Sequence, residues 1–186
     1  MVTFPRLLTF ATICVVALAT AGAQTETHRH GDWRVRLNEE LPLLGHRNWI
    51  AVVDSAYPLQ TSAGIETVET NDDQLEVVKT VLDKLATAKH VRPVILTDAE
   101  LKFVPESDAA GVTAYREALA KLVGNTEAQS LPHEEIISKL DEAGKTFHIL
   151  VLKTKLTIPY TSVFLELDCA YWSASAEARL RANMSR

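Results

Sequence analysis

The stretch WIAVVD, residues 49–54, constrains the fold of this 186-residue chain more than any other segment. It is a continuous run of apolar and β-branched residues with a single charged residue at its end. Runs of this kind are typical of strands that are covered on both faces. We therefore expect a strand in the interior of a layered domain, with other elements packed above and below it.

The rest of the chain alternates between helical and strand patterns. Helices are predicted over residues 72–90, 109–123 and 130–145, and further strands over residues 91–96, 146–153 and 162–172. Ser130 is the candidate cap of the third helix, with Pro132 near its first turn. Strands that alternate with helices indicate a single layered α/β domain with helices over a sheet.

The N-terminal 23 residues resemble a secretory signal peptide. Arg6 precedes a short apolar run, Leu7–Leu18, and small residues follow at Ala21–Ala23. The run is shorter than the roughly 20 apolar residues that span a bilayer, so we predict export and cleavage before Gln24. The expected organisation is a signal peptide at 1–23, a flexible tail at 24–32, the domain at 33–172 and a helical tail at 173–186. The mature protein is then periplasmic or secreted.

Charge and cysteine content limit the possible partners. Loss of Arg6 with the signal peptide moves the formal net charge from −5 to −6. This acidity argues against binding to nucleic acids or anionic membranes, which need clusters of Lys and Arg. Cys169 is the one cysteine of the mature chain, and a single thiol cannot cross-link its own chain. Stability must come from the core or from association with other copies.

Two ionisable side chains flank the first strand. His46 and Asp54 are eight residues apart, so they share the same parity along a regular strand. Eight residues at about 3.3 Å each are too long for one hydrogen bond between them. Because ligands of open α/β sheets bind beyond strand ends, we expect a cleft at the ends of this strand.

Three segments together resemble the ribose pyranase and fucose mutarotase family. The first is LGHRNWIAVVDSAYP at 44–58, with a Gly-His pair, an aspartate eight residues after the histidine, and then a proline. The second is IPYTSVFLEL at 158–167, with a tyrosine before the last strand. The third is HEEIISKL at 133–140, which is similar to a helix that carries an active-site histidine. The resemblance covers roughly residues 35–172.

The resemblance implies a fold, an assembly and an activity. Members have a three-layer α/β/α fold with a central mixed sheet and form homo-oligomeric rings with sites near subunit contacts. They are isomerases of carbohydrate metabolism that bind a monosaccharide and interconvert its cyclic forms, without metal or cofactor. The implied catalytic residues are His46 as the acid/base, Tyr160 and Asp54. The implied substrate-binding residues are His133, Ser162 and Asn48.

Elementary chemistry is consistent with these residue types. Opening a cyclic hemiacetal requires a proton on the ring oxygen while another proton leaves the anomeric hydroxyl. Histidine suits this exchange because its pKa of about 6.5 lies near neutral pH. One positioned acid/base group supplies roughly 10²- to 10⁴-fold acceleration.

Departures from the family pattern leave a second interpretation open. Asn48 replaces an aspartate, Ser162 replaces an asparagine, and Lys155-Leu156 replace a Gly-Glu pair. A lost hydrogen-bond partner in a polar site costs about 1 to 3 kcal/mol, which would weaken sugar binding. The alternative is therefore a catalytically lapsed periplasmic sugar-binding or structural assembly module of the same fold.

The candidates also have purely structural interpretations. His46 could be a surface turn residue, Asp54 a turn or cap, Tyr160 a packing residue and His133 a solvated first-turn residue. His28 and His30 in the N-terminal tail make an incomplete metal site, because zinc and copper need three or four ligands held in place. We expect no metal there.

Overall fold

The computed structural model describes residues 32–124 and 128–185. The predicted signal peptide and residues 24–31 of the predicted tail lie outside the described residues, so export stays a prediction. Among the helices that the structure describes, none is both long enough and apolar enough to cross a membrane.

The elements alternate along the chain much as the sequence predicts. The strands are β1 (Trp49–Val53), β2 (Ile65–Glu69), β3 (Val91–Asp98), β4 (Gln129–Leu131), β5 (Ile149–Lys153) and β6 (Val163–Cys169). The helices are α1 (Trp33–Glu40), α2 (Gln74–Thr87), α3 (Val112–Val123), α4 (His133–Ala143) and α5 (Ala174–Met184), with a 3₁₀ turn at Ala99–Phe103.

The strands form one six-stranded mixed sheet in the order β2-β5-β1-β6-β3-β4. Strand β5 is parallel to both β1 and β2, and β3 is parallel to β4. Strand β6 is antiparallel to β1 and β3, so among the described strands it alone runs against the other five. The carboxyl ends of β1, β3 and β4 and the amino end of β6 therefore meet at one edge of the sheet. We call this the carboxyl edge.

Helices cover both faces of the sheet, which confirms the predicted three-layer fold. Strand β1 is buried along its whole length, as its apolar sequence predicts. One face packs against α1, α2 and α3 through residues such as Leu37, Val78 and Leu119. The other packs against α4 through Ile136 and Leu140. Because consecutive residues of a strand point to opposite faces, a strand covered in this way must be apolar throughout.

Side chains cap the starts of α1, α2 and α5, whereas the N-cap residues of α3 and α4 make no side-chain bond. Asp73 caps α2 by accepting hydrogen bonds from the amides of Leu75 and Glu76. Ser130, the candidate cap of α4, lies instead in the short strand β4, and Pro132 occupies the N-cap position without a side-chain bond. The sequence interpretation of Ser130 is therefore wrong, because backbone pairing with β3 takes this residue into the sheet.

Three further elements have weak sequence signals. Helix α1 buries only Trp33, Leu37 and Glu40, and so lacks a regular apolar stripe. Strand β2 lies at the sheet edge and is only half-buried. Helix α5 lies within the predicted helical tail, residues 173–186, but buries none of its residues. Its apolar residues Leu180 and Met184 are exposed, so they add nothing to the hydrophobic core of the described chain.

Candidate functional site

A cleft of about 440 Å³ opens at the carboxyl edge of the sheet. Four acidic, basic or phenolic side chains reach this edge from separate strands. Asp54 follows β1, Asp98 ends β3, His133 follows β4 and Tyr160 precedes β6. Three of them line the cleft together, namely Asp54, His133 and Tyr160. This is the place where open α/β sheets bind ligands.

His133 is held in one orientation by two carboxylates. Its Nδ1 lies 3.0 Å from Oδ1 of Asp98, and its backbone amide donates to both oxygens of Glu100 at 3.1 Å. Glu100 therefore supplies the cap that Pro132 cannot give to α4, and its charge suits the helix N-terminus. An ionised Asp98 can only accept, so the proton of a neutral His133 lies on Nδ1 and Nε2 is left as an acceptor.

Asp98 is buried although it is ionisable. Its side chain has no solvent exposure, and its Oδ2 has no hydrogen-bond partner among the described residues. Burial raises the pKa of this carboxyl above its ordinary value, although the hydrogen bond and charge of His133 act in the opposite direction. A buried carboxylate with an unpaired oxygen lowers stability. Such groups are concentrated at functional sites, where their placement serves chemistry.

Tyr160 packs edge-to-face against His133 in the wall of the cleft and has a strained backbone conformation. The two ring centroids are 5.7 Å apart and the rings stand at 83° to each other. The φ angle of Tyr160 is 59°, in the left-handed region that bulky residues seldom occupy. Backbone strain of this kind is found most often at active sites and at segments that clamp a ligand. The side chain is 40% exposed, so its hydroxyl is accessible to a ligand.

A buried polar network holds the segment that carries Tyr160. The carbonyl of Thr161 accepts hydrogen bonds from the Tyr115 hydroxyl, at 2.8 Å, and from the side-chain amide of Gln74. Gln74 Oε1 in turn accepts a hydrogen bond from Thr154 at 3.1 Å. Since Gln74 and Tyr115 belong to α2 and α3, the helices on one face of the sheet fix the backbone beside the cleft.

The remaining polar groups of the cleft come from the loop after β1. Asp54 Oδ1 accepts a hydrogen bond from the amide of Ala56 at 2.8 Å, which forms a tight turn and leaves Oδ2 available. Burial raises the pKa of Tyr57 to about 12, so its phenol stays protonated at neutral pH. The Tyr57 hydroxyl lies 3.4 Å from Oε1 of Gln60. These groups can donate to and accept from a polyhydroxylated ligand.

Apolar side chains form the rest of the cleft wall. They belong to the loops after β1 and before β6 and to α4: Pro58, Ile137, Ile158 and Pro159. A small cleft with apolar walls and a few convergent polar groups is typical of small-molecule sites.

His46 lies at the opposite edge of the sheet. It precedes β1 whereas Asp54 follows it, so the five residues of the strand separate them. His46 Nδ1 is 3.2 Å from Oδ1 of Asp168, and Arg92 also binds this carboxylate. Hydrogen bonding to Arg92 lowers the pKa of Asp168 below its ordinary value. In the described part of one chain, His46 therefore does not share the cleft with Tyr160, and its catalytic role stays a prediction.

Asn48 and Ser162 are the other residues predicted to contact a ligand. In a single chain, Asn48 is hydrogen-bonded to the backbone and Ser162 is buried. Asn48 Oδ1 accepts a hydrogen bond from the amide of Gly45 at 2.7 Å, and its Nδ2 donates to the carbonyl of His148 at 3.2 Å. Asn48 thus holds the loop that carries His46. Ser162 is 3% exposed and is not among the residues that line the cleft. Their predicted roles in substrate binding remain untested.

Sequence reasoning missed Asp98 and Glu100, the two residues that orient His133. Both follow a strand-like pattern at VRPVIL, and two acids after a strand are a common signal for turns and helix starts. Only the pairing of β3 with β4 brings them to His133. A rule that carboxylates at the ends of neighbouring parallel strands converge could have selected Asp98, but β4 was not predicted.

Solved structures of other proteins are similar to this chain. RbsD of Bacillus subtilis, complexed with D-ribose, is 20% identical to the chain, with a TM-score of 0.51 over 70% of this chain and 89% of RbsD. Fucose mutarotase of Streptococcus pneumoniae, in complex with L-fucose, is 16% identical, with a TM-score of 0.47 over 75% of this chain and 96% of the mutarotase. FucU of Bifidobacterium longum is 14% identical, with a TM-score of 0.48 over 71% of this chain and 92% of FucU.

No protein-family model matches the chain, and no curated protein matches it. At these identities, structural similarity carries information about the fold alone. The similarity to RbsD confirms the fold that the sequence motifs predict. The chain therefore has the three-layer α/β/α fold of ribose-bound RbsD.

Proposed function

We propose that the protein is an isomerase that interconverts cyclic forms of a small reducing sugar by general acid/base catalysis. The observation that carries this proposal is the cleft in which His133, oriented by Asp98, faces Tyr160 and Asp54. The RbsD structure, which has the same fold, holds D-ribose. A polar, oriented imidazole in a small cleft suits proton exchange on a sugar hydroxyl.

The groups of the cleft divide the chemistry between them. Nε2 of His133 accepts the proton of the anomeric hydroxyl, while Asp98 stabilises the imidazolium that forms. The Tyr160 hydroxyl donates a proton towards the ring oxygen, and the C–O bond of the hemiacetal breaks. Rotation about the C1–C2 bond turns over the aldehyde that has formed. A sugar hydroxyl then adds to its carbon, both proton transfers reverse, and the ring closes in another form. Asp54 accepts hydrogen bonds from other sugar hydroxyls.

This assignment changes the roles that the sequence resemblance implies. The resemblance gives the acid/base role to His46 and a binding role to His133. Within one chain, His133 has an oriented ring beside Tyr160, whereas His46 is on the opposite sheet edge. We therefore propose His133 as the acid/base of the cleft.

A role for His46 requires a second copy of the chain. Tyr171 and Trp172 line the same hollow as His46 and are exposed, at 78% and 43% respectively. Exposed aromatic residues are enriched at protein interfaces. We propose that the protein is a homo-oligomer in which this surface contacts a neighbouring copy and brings His46 towards the neighbour's cleft.

The direct test is saturation-transfer NMR between the anomeric forms of ribose, fucose and other monosaccharides. We expect exchange to be faster with the protein present, and the His133→Ala variant to lose about 10²-fold or more of this acceleration. His90→Ala is a matched control, because the His90 ring binds the carbonyl of Leu41 at a distance from the cleft. Equal exchange rates with and without protein for every sugar would exclude the proposed activity.

The second candidate is a sugar-binding module without catalysis. The position of His46 favours it, since this implied catalytic residue pairs with Asp168 and does not line the cleft of one chain, whereas Asp54, His133 and Tyr160 do. A thermal-shift screen over the same sugars separates the two candidates, because any ligand that binds the native state raises Tm. Stabilisation without accelerated exchange identifies a binder.

A further inference from the structure

A second cluster of ionisable side chains lies away from the cleft, at the opposite edge of the sheet. It joins Glu40 at the end of α1, Glu66 in the edge strand β2, and His148 just before β5. Their donor atoms all lie within 4.8 Å of one another. We call these three residues the Glu-Glu-His cluster.

The distances in this cluster match a tetrahedral metal site. His148 Nε2 lies 3.4 Å from Oε2 of Glu40 and 3.9 Å from Oε2 of Glu66. Zinc binds nitrogen and oxygen at about 2.0 to 2.2 Å, so two ligand atoms of a tetrahedral site are roughly 3.4 Å apart. The Glu40 distance matches this separation and the Glu66 distance exceeds it, so a zinc ion could contact all three side chains after Glu66 moves closer.

His148 Nε2 is the second observation that indicates a ligand. This nitrogen is buried and makes no well-aligned hydrogen bond within the part of the chain that the structure describes, and Oε2 of Glu40 lies 3.4 Å from it. A buried polar atom without a partner costs free energy. Neutral imidazole nitrogen is also the commonest metal ligand in proteins. Zinc would satisfy this atom and remove the cost.

The charge around the cluster permits a divalent cation. Arg36 binds both oxygens of Glu66, at 2.7 and 2.6 Å, and Oε1 of Glu40 at 2.8 Å. Arg36 therefore offsets one of the two carboxylate charges, and Oε2 of Glu66 would bind zinc while it also accepts a hydrogen bond from Arg36. Oε2 of Glu40 is the oxygen nearest His148, and Arg36 does not occupy it. The cluster thus keeps an anionic side that faces the imidazole.

We propose that the Glu-Glu-His cluster binds one zinc ion, with water in the fourth position. Two carboxylates and one imidazole form a ligand set that suits zinc. The three ligands come from α1, β2 and the start of β5, so the ion fastens the N-terminal helix to the edge of the sheet. Cys169 is a free thiol and forms no cross-link in the described chain. Zinc would therefore supply a cross-link that cysteine does not.

The test is calorimetric titration of the full, EDTA-treated chain with zinc chloride. A His28→Ala/His30→Ala background removes the two histidines of the N-terminal tail as competing ligands. We expect one zinc per chain, and an affinity at least about tenfold weaker in His148→Ala and in Glu40→Gln. Glu39→Gln is the matched control, because Glu39 is adjacent to Glu40 on α1 but is not part of the cluster.

A spectroscopic measurement makes the test independent of folding defects. Cobalt(II) bound to a tetrahedral nitrogen and oxygen site absorbs visible light strongly, and this band should appear in the background chain and disappear in His148→Ala. His148 is about one-third exposed, so its replacement should leave the fold intact by circular dichroism. Absence of saturable zinc binding, or equal affinity in the folded His148→Ala variant and its parent, would overturn the proposal.

Discussion

The buried carboxyl of Asp98 lowers stability, and its proposed role is to orient His133 in the cleft. Its buried carboxylate orients His133 while one of its oxygens has no partner in the described structure. We expect Asp98→Asn to lower the sugar exchange rate by about 10²-fold, because an amide permits either orientation of the imidazole proton. The exposed Asp108→Asn should have no effect. Saturation-transfer NMR on both variants measures the difference.

The same substitution, which should lower activity, should raise the free energy of unfolding relative to wild type at neutral pH. The folded-state pKa of Asp98 is raised from its ordinary value of 3.8. Its contribution to stability is therefore complete below pH 3.8 and is lost as the pH rises through the raised pKa. The amide of the Asp98→Asn variant does not titrate, so the stability of this variant relative to wild type should increase between acidic and neutral pH. Urea unfolding at several pH values tests this, and a difference independent of pH would contradict it.

Single residues were predictable where chemistry and position agree in the sequence. Asp54, His133 and Tyr160 each lie next to a strand or helix boundary that the apolar pattern marks, and they meet in one cleft. Asp98 and Glu100 reach His133 only through the pairing of β3 with β4. No local pattern encodes that pairing, because β4 is three residues long and mostly exposed.

At the scale of elements, Gly64 marks the close approach of the loop before β2 to the end of α4. A Cβ atom on Gly64 would lie 2.6 Å from the carbonyl oxygen of Phe147 and closer still to that of Gly144. These are backbone atoms, so the chain would have to move. We expect Gly64→Ala to reduce the free energy of unfolding by about 1 to 3 kcal/mol.

Gly45→Ala is the matched control for this prediction. The nearest atom to a Cβ there is 3.9 Å away, which is ordinary contact. Replacement of glycine in open space restricts the unfolded chain, so this variant should be unchanged or up to about 1 kcal/mol more stable. Urea unfolding of both variants gives the comparison. Equal effects at the two glycines would show that the close approach at Gly64 is not important.

Helix α2 gives a second prediction at this scale. Asp73 accepts two amide hydrogen bonds at its N-terminus, and Asp73→Ala should cost about 1 kcal/mol. Asp83, on the exposed surface of the same helix, pairs with Lys79, and Asp83→Ala should cost less than about 0.5 kcal/mol. Thermal unfolding of the two variants distinguishes loss of the cap from loss of a surface charge.

Helices and strands with a regular spacing of apolar residues were predictable from the sequence. Short elements and those at the edge of the sheet were not. Helix α2 and strand β1 have the apolar spacing that their burial requires. Helix α1 buries only Trp33, Leu37 and Glu40, and β2 becomes a strand through its pairing with β5. Tertiary contacts therefore decide these elements, and local propensity does not.

At the scale of the whole molecule, the sheet topology separates the predicted site into two parts. His46 is at the amino end of β1, and the cleft with Asp54, His133 and Tyr160 is at the carboxyl edge. The shared parity of positions 46 and 54 is compatible with one face of a strand but does not place both at one end. The sequence could therefore suggest candidate residues, but not that one chain places His46 and the cleft at opposite edges of the sheet.

Mixed oligomers test whether neighbouring copies share the site. We expect His46→Ala and His133→Ala to be inactive alone if each site takes His46 from one chain and His133 from its neighbour. After equal amounts of the two variants are dissociated and reassembled together, about a quarter of the sites should combine both native residues. Native mass spectrometry identifies the mixed oligomers, and NMR exchange measures their activity. Recovery of activity in the mixed oligomers requires that the two residues of one site come from different chains. Mixed oligomers without recovered activity, or a fully active His46→Ala variant, would therefore exclude a shared site.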